Sequence, residues 1–376
     1  MIFKPHSWVE IDRGALEQNL SHLKKITGSG TVAPVIKGNG YGHGLLEMGR
    51  VCQESPHVGC VCVASLSEAL TLRQKNFTKP ILVLVFLDED ATLAIEHDID
   101  VMVYNEETAR YLHECAQKKN KICNIHLKID TGLSRLGIAP EAVENFINKI
   151  KQLVGLRLRA VATHFAESQS QDTSFSLEQI KTFNDVIQTI ENTGTKIEWK
   201  HASNSAGLFQ FGAQSGNFFR PGLGTYGYWS SDHTKKIAQE NHPYFTLQPA
   251  LTWKTKIFDI KKVPAGKDVG YSRTFRTSRE TVLACLPVGY QDGYNRKLSN
   301  KAPVLIENKH APVVGAVGMN ITTIDVTDIP HSKIGTEVIL LGSNQKVRAD
   351  TLSAISETNT REIMTRISPE LVRTFV

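Results

Sequence analysis

The residues in this chain most able to do chemistry stand at the ends of short apolar runs. Lys37 follows the run Val32–Ile36, and a loop with four glycines, Gly38-Asn39-Gly40-Tyr41-Gly42-His43-Gly44, comes at once after it. Strand, lysine and glycine-rich loop in that order is how a barrel presents an amine to a small phosphorylated ligand. Such an amine can form a Schiff base, and pyridoxal phosphate is the usual aldehyde partner. A surface lysine before a turn would give the same pattern, so the other run ends matter. They read Lys128-Ile129-Asp130-Thr131-Gly132-Leu133-Ser134-Arg135, Thr163-His164-Phe165, His201-Ala202-Ser203-Asn204-Ser205 and Arg220-Pro221-Gly222-Leu223. A lone histidine is more often structural. Five polar run ends together point to one ligand site, because the working residues of a parallel barrel lie at strand C-termini.

The elements that must position these residues follow from hydrophobic periodicity. Strand candidates are Val32–Lys37, Cys60–Ala64, Ile81–Val85, Val101–Val103, Ile125–Ile129, Arg159–Thr163, Ile197–His201 and Asn217–Arg220. Helical patterns lie between several of them, at Leu66–Lys75, Glu106–Gln117, Glu141–Leu153 and Leu177–Asn192. Eight such repeats predict a (β/α)₈ TIM barrel, with a doubly wound sheet as the alternative. After about residue 242 the helical period vanishes. Alternating runs at Leu251–Phe258, Val282–Leu286, Val304–Glu307, Val313–Val317, Thr322–Val326 and Val338–Leu341 predict a smaller all-β domain. The expected division is a barrel over residues 11–240 and a β domain over 241–376, to which residues 1–10 add a strand. The polar segment Tyr228–Tyr244 is the expected linker.

A chain of 376 residues exceeds the usual single domain, and its 41% hydrophobic and 22% charged content is that of a globular protein. The net charge of +5 is spread along the chain, which argues against a nucleic-acid partner. Six cysteines occur with neither a Cys-x-x-Cys pair nor zinc spacing, so free thiols and no metal are expected. The N-terminus lacks a signal-peptide pattern, and no apolar run approaches the ~18–20 residues of a membrane span. These features predict a cytoplasmic protein with no membrane association.

The run ends and their order resemble the alanine racemase family over nearly the whole chain, from Glu10-Ile11-Asp12 onward. That resemblance implies a pyridoxal-phosphate enzyme with a (β/α)₈ barrel and a C-terminal β domain. It also implies a head-to-tail homodimer in which each site borrows residues from the other subunit. The expected reaction interconverts L-alanine and D-alanine, supplying D-alanine for peptidoglycan. Lys37 would hold the cofactor and act as one base. Tyr271, in Gly270-Tyr271-Ser272-Arg273, would be the second base, from the partner subunit. Racemisation removes the Cα proton from one face and returns one to the other, which two opposed bases can do. Arg220 would face the pyridine nitrogen and, being a donor only, leave the ring neutral. His164 would lie against the ring. Tyr41, Ser205, Gly222 and Leu223 would hold the phosphate, with Asn204 beside them. Arg135 would bind the substrate carboxylate, next to a carbamylated Lys128. Met319 and Tyr290 would line the substrate side and the entrance.

The match departs from the family pattern in three places. Asn320 follows Met319 where aspartate is usual. Arg361, in Thr358-Asn359-Thr360-Arg361-Glu362, stands where a tyrosine touches the phosphate and limits the pocket. Arginine binds phosphate well but is longer and cationic, so a broader substrate range is the alternative expectation. Gly38 and Gly40 replace alanines, and extra glycine is expected to loosen the loop and slightly weaken cofactor retention. A catalytically weak cofactor-binding protein and a barrel decarboxylase are the remaining alternatives; Tyr271 and the long C-terminal segment speak against the first, and Arg220 in place of a carboxylate against the second.

Overall fold

The computed structural model describes residues 6–376. The expected N-terminal strand over residues 1–10 therefore lies partly outside the described residues; its described part is β1 (Ser7–Ile11). The chain divides into two compact units. One comprises Leu16–Gly38 and Met48–Leu247; the other comprises the residues up to Ala15, Asn39–Glu47 and Gln248–Val376.

The first unit is a (β/α)₈ barrel. Its strands are β2 (Thr31–Val32), β3 (Val61–Ser65), β4 (Ile81–Phe86), β5 (Asp100–Val103), β6 (Cys123–Lys128), β7 (Leu156–Ala162), β8 (Trp199–His201) and β9 (Phe218–Phe219). Strands β3 to β8 form one sheet in sequence order, each pair parallel. Hydrogen bonds beyond the regular ladder close the ring. The Ile36 N–H donates to the Cys62 carbonyl (2.9 Å), the Ala33 N–H to Phe219 (2.8 Å) and the Arg220 N–H to Ser203 (3.0 Å). Closure excludes the doubly wound alternative, which leaves two sheet edges open.

Local sequence explains the elements. Strands β3 and β5 are almost wholly buried, as expected for a parallel sheet covered by helices. The helix Glu106–Lys119 starts at Asn105, whose side chain accepts the Thr108 N–H, and stops at Asn120, whose φ of 49° is left-handed. It buries Ala109, Leu112, Cys115 and Ala116 on one stripe. The expected linker Tyr228–Tyr244 differs from the reading made on polarity: it contains the helix Asp232–Asn241. Ser231 caps that helix with a reciprocal box to Thr234, and Ala238 joins a cluster with Leu23, Leu208, Phe209, Phe219 and Phe245. A helix so polar depends on this packed stripe, which periodicity underweights.

The second unit is mostly β. Strand β1 pairs antiparallel with β10 (Leu251–Lys256) and parallel with Val372–Phe375 in a six-stranded sheet. A three-stranded sheet holds Asp259–Val263, Thr281–Leu286 and Thr322–Asp325. The run Val313–Val317 makes only an isolated bridge at Val313, and two short helices, Ala349–Ile355 and Thr360–Thr365, interrupt the β pattern. All six cysteines are free, five of them buried. Among the described residues no helix is long and apolar enough to cross a membrane.

Candidate active site

Period two along the barrel strands sends alternate side chains to the interior, rising toward the C-terminal mouth. Asn124, His126 and Lys128 share one face of β6, and the continuation of β9 carries Phe218 and then Arg220. Lys37, Lys128, Arg135, His164 and Arg220 are brought together electrostatically, because their charges act on one another at short range. Burial pushes the Lys128 amine down to about 7, with Arg220, Arg135 and Lys37 adding repulsion and Asp130 opposing it. Burial, then Lys128, Arg220, Arg135 and Lys37, hold the His164 imidazole well below its ordinary range, so it is neutral.

Each side chain has a mechanical reason for its place. Lys37 follows the buried Ile36, and the next amide, Gly38 N–H, donates to a Glu68 carboxylate oxygen at 2.8 Å. The other Glu68 oxygen accepts the Ala64 N–H at 2.8 Å, so one carboxylate ties the ends of two strands. Arg135 is exposed on a loop folded around Asp130, which accepts the N–H groups of Gly132 and Ser134, each at 3.0 Å. The loop closes where the Ile138 N–H donates to the Lys128 carbonyl (2.8 Å). The buried Gln179 amide donates to both Thr131 (3.1 Å) and the His164 carbonyl (3.2 Å), joining the Arg135 loop to the His164 strand end.

Arg220 is buried, and burial pushes its guanidinium down to about 10, still protonated at neutral pH. It donates to the carbonyls of His201 (3.0 Å), Thr163 (2.8 Å) and Ala202 (3.2 Å), to the His201 ring, and at 3.4 Å to His164 Nδ1. Nearby, the Ser205 hydroxyl accepts the N–H groups of Gly222 and Gly224, each at 3.0 Å, which leaves its own hydrogen to donate outward. Asn204 is occupied as a helix cap, accepting from Gly207 N–H and the Ser168 hydroxyl at 3.0 Å each. Leu223 is buried beside this hydroxyl–amide nest.

The remaining predicted residues belong to the other unit. Tyr41 is buried. Tyr271 is 76% exposed, in a tight turn where Ser272 and Arg273 have φ of 59° and 50°. Met319 and Tyr290 are also exposed and adjoin one another, because the Tyr290 N–H donates to Gly318 (3.0 Å) and the Gln291 N–H to Met319 (3.1 Å). Asn320 spends its amide on Gln291 (2.9 Å). Arg361 is exposed on the helix Thr360–Thr365.

The glycines after Lys37 act differently from the expected loosening. Gly38, Asn39, Gly40 and Tyr41 have φ of 62°, 54°, 59° and 52°, a left-handed turn. Glycine adopts that conformation without the Cβ clash that other residues suffer, so Gly38 and Gly40 relieve strain at this turn. Gly38→Ala and Gly40→Ala are each expected to cost about 1 kcal/mol of stability, read as a lower denaturant midpoint at unchanged slope.

The Lys128 shift has a measurable consequence in the cofactor-free chain. The folded amine loses its proton near 7, the unfolded one near 10.5. Between those values the unfolded chain binds more protons, so stability rises with pH across that window; the penalty is complete below it and absent above it. Lys128→Met is expected to stabilise the chain below neutrality and to flatten the rise, in denaturant melts on either side of pH 7.

The cofactor implied by the resemblance fits these groups. The barrel mouth gathers four cationic side chains, while Asp130 is committed to backbone amides. The surplus suits a ligand carrying a phosphate and a substrate carboxylate. The Ser205 hydroxyl, its oxygen already accepting two amides, offers a neutral donor for the former.

The expected strand Val32–Lys37 shortens to β2 and an isolated bridge at Val35, and Lys37 opens a helical turn; a closed barrel with this lysine, a cationic mouth and a buried arginine defines an enzyme of the lysine-bearing barrel class. The profile described as "Alanine racemase, N-terminal domain" matches residues 11–230, and that described as "Alanine racemase, C-terminal domain" matches residues 250–375. The chain is 35% identical over 373 residues to the alanine racemase of Halothermothrix orenii, covering 98% of this chain and 96% of that one. It is 34% identical to that of Methanococcus maripaludis, covering 98% of each. The solved alanine racemase of Clostridium difficile superposes with a TM-score of 0.92 at 30% identity, covering 100% of this chain and 96% of the other. That of Bartonella henselae, solved with covalently bound pyridoxal phosphate, gives 0.85 at 25% identity, covering 99% and 100%. The chain belongs to the alanine racemase family of isomerases, which depends on pyridoxal phosphate.

Sequence reasoning missed Glu68, Asp100, His126, Arg159 and any role for His201. His126 left one trace in the sequence, an imidazole between the apolar Ile125 and Leu127.

Proposed function

We propose that this chain interconverts L-alanine and D-alanine with pyridoxal phosphate held on Lys37. The observation that carries the reading is the buried, protonated Arg220 at the barrel mouth, beside Lys37, Lys128, Arg135 and the neutral His164. The cofactor supplies electron withdrawal from the substrate Cα when bound. Arg220 faces the pyridine nitrogen and keeps its own proton, which disfavours side reactions that need a protonated ring. The Ser205 hydroxyl and the Leu223 backbone hold the phosphate, with Gly222 and Asn204 shaping the turn. Arg135 takes the substrate carboxylate.

The domains divide the work. The barrel, residues 11–240, holds the cofactor, and the β domain, residues 241–376 with residues 1–10, delivers Tyr271, Met319 and Tyr290 to a partner's site in a head-to-tail homodimer. Exposure of all three side chains supports that delivery. Lys37 and Tyr271 are the two bases, at opposite faces of the Cα. Lys128 reacts through its neutral amine with carbon dioxide, forming an N–C bond and releasing a proton; the carbamate then compensates Arg135. The enzyme works in the cytoplasm and supplies D-alanine for peptidoglycan.

The test is incubation with pyridoxal phosphate and L-alanine in heavy water. D-alanine formation with Cα deuterium supports the reading. No turnover of any amino acid despite bound cofactor would favour a cofactor-carrier protein.

A second reading concerns range. Arg361 is exposed and cationic where relatives of the family pattern have a tyrosine, which supports acceptance of larger or polar amino acids. Arg361→Tyr is then expected to lower kcat/KM for serine and lysine by roughly tenfold while sparing alanine, the usual worth of a pocket contact. Equal profiles for the two proteins would remove this reading.

A further inference from the structure

Below the mouth, the barrel interior holds a line of polar side chains that the reaction does not touch. Arg220 donates to His201 Nδ1. His201 Nε2 lies 3.0 Å from His126 Nδ1, and His126 Nε2 lies 3.2 Å from Asp100 Oδ2. Both imidazoles are fully buried, and Asp100 is 4% exposed. We propose that Asp100 and His126 are positioning residues for Arg220, acting through His201 by imposing one proton arrangement on the line; its link to the cofactor ring rests on the proposed function.

The arrangement follows from donor chemistry. A guanidinium has only donors, so His201 Nδ1 must accept. A neutral His201 then carries its hydrogen on Nε2 and donates to His126 Nδ1. A neutral His126 likewise carries its hydrogen on Nε2 and donates to the carboxylate. Every bond points from Arg220 toward Asp100. Burial keeps both imidazoles neutral, as the line requires. Burial opposes ionisation of Asp100, but the His126 hydrogen bond and the Arg159 charge outweigh it and hold its carboxyl below the usual range.

The far end is anchored. Arg159 donates to Asp100 at 3.0 Å and to both Glu198 oxygens at 3.0 and 3.2 Å, and its guanidinium lies 3.8 Å over the Trp199 ring. Asn124 donates to the second Asp100 oxygen at 3.2 Å. At the near end, the three backbone carbonyls that hold Arg220 accept whatever the tautomers are. His201 Nδ1, like His164 Nδ1 at 3.4 Å, can turn from acceptor to donor, and Asp100 decides which His201 Nδ1 is.

The test is neutron diffraction from deuterium-exchanged crystals of the full-length wild type, with and without pyridoxal phosphate. Deuterium on Nε2 alone of His126 and His201 is the expected result. Deuterium on Nδ1 of either ring overturns the proposal. The variant Asp100→Ala, checked for folding by its melting transition, is expected to show deuterium partly transferred to His201 Nδ1. Its kcat should fall roughly tenfold, the worth of one charge-assisted hydrogen bond, with KM for alanine unchanged. A folded Asp100→Ala with wild-type deuterium positions and kcat overturns the positioning role. Should that variant not fold, the wild-type deuterium positions still decide. A wild type that binds no cofactor removes the proposed function instead, leaving the proton arrangement to be read from the same crystals.

Discussion

Lys37→Ala is expected to abolish racemisation, by more than about a thousandfold, in a chain that remains folded. In the proposed mechanism the amine is both the cofactor's anchor and one of the two bases, so its removal deletes two functions at once. The fold should survive because the backbone there is held independently of the side chain. Ile36 is fully buried and the Gly38 amide is fastened to Glu68. The measurement is Cα proton exchange in heavy water, followed with each alanine enantiomer, together with the mass of the protein after borohydride treatment. Loss of exchange from one enantiomer and loss of the covalently trapped cofactor are the expected pair. A variant that still racemises near the wild-type rate would show that another amine serves. Lys128 is the evident substitute, being partly unprotonated near neutrality.

Tyr271→Phe is expected to lower racemisation by roughly 10²–10⁴-fold while leaving stability untouched. The substitution removes one hydroxyl from a side chain that is 76% exposed, so no packing is lost. The distinguishing result is asymmetric. Exchange of the Cα proton should continue from the enantiomer served by Lys37 and cease from the other, because in the proposed mechanism each base works on one face. Symmetric, undiminished exchange would reduce the mechanism to a single base. A mixture of Lys37→Ala and Tyr271→Phe proteins would carry the test further. If sites are shared across a dimer, reassorted dimers regain activity at one site of two, since one site then combines an intact Lys37 with an intact Tyr271.

Much of this was legible from residue order alone. The polar ends of apolar runs marked Lys37, Lys128, Arg135, His164 and Arg220, because strand length and direction are local properties and a parallel barrel collects strand ends at one mouth. The barrel itself was readable from eight repeats. Its closure was not, because the ring is completed by β2 and β9, each only two residues long, whose propensity is weak and whose partners are distant in sequence. The helix Asp232–Asn241 escaped for a related reason: its stability comes from the cluster around Ala238, while its own composition is polar.

Gly38 and Gly40 mark the boundary between the two kinds of information. Composition alone says that glycine loosens a loop; the dihedral angles say that here it fits a left-handed turn. Residue type and spacing by themselves determined the chemistry on offer: an amine, two arginines and a tyrosine in a defined order. Only the tertiary structure decided that Arg220 is backed by His201, His126 and Asp100. Those three residues come from three strands, Arg220 follows a fourth, and they meet because alternate side chains of a closed barrel converge on its axis, a convergence that no linear spacing encodes.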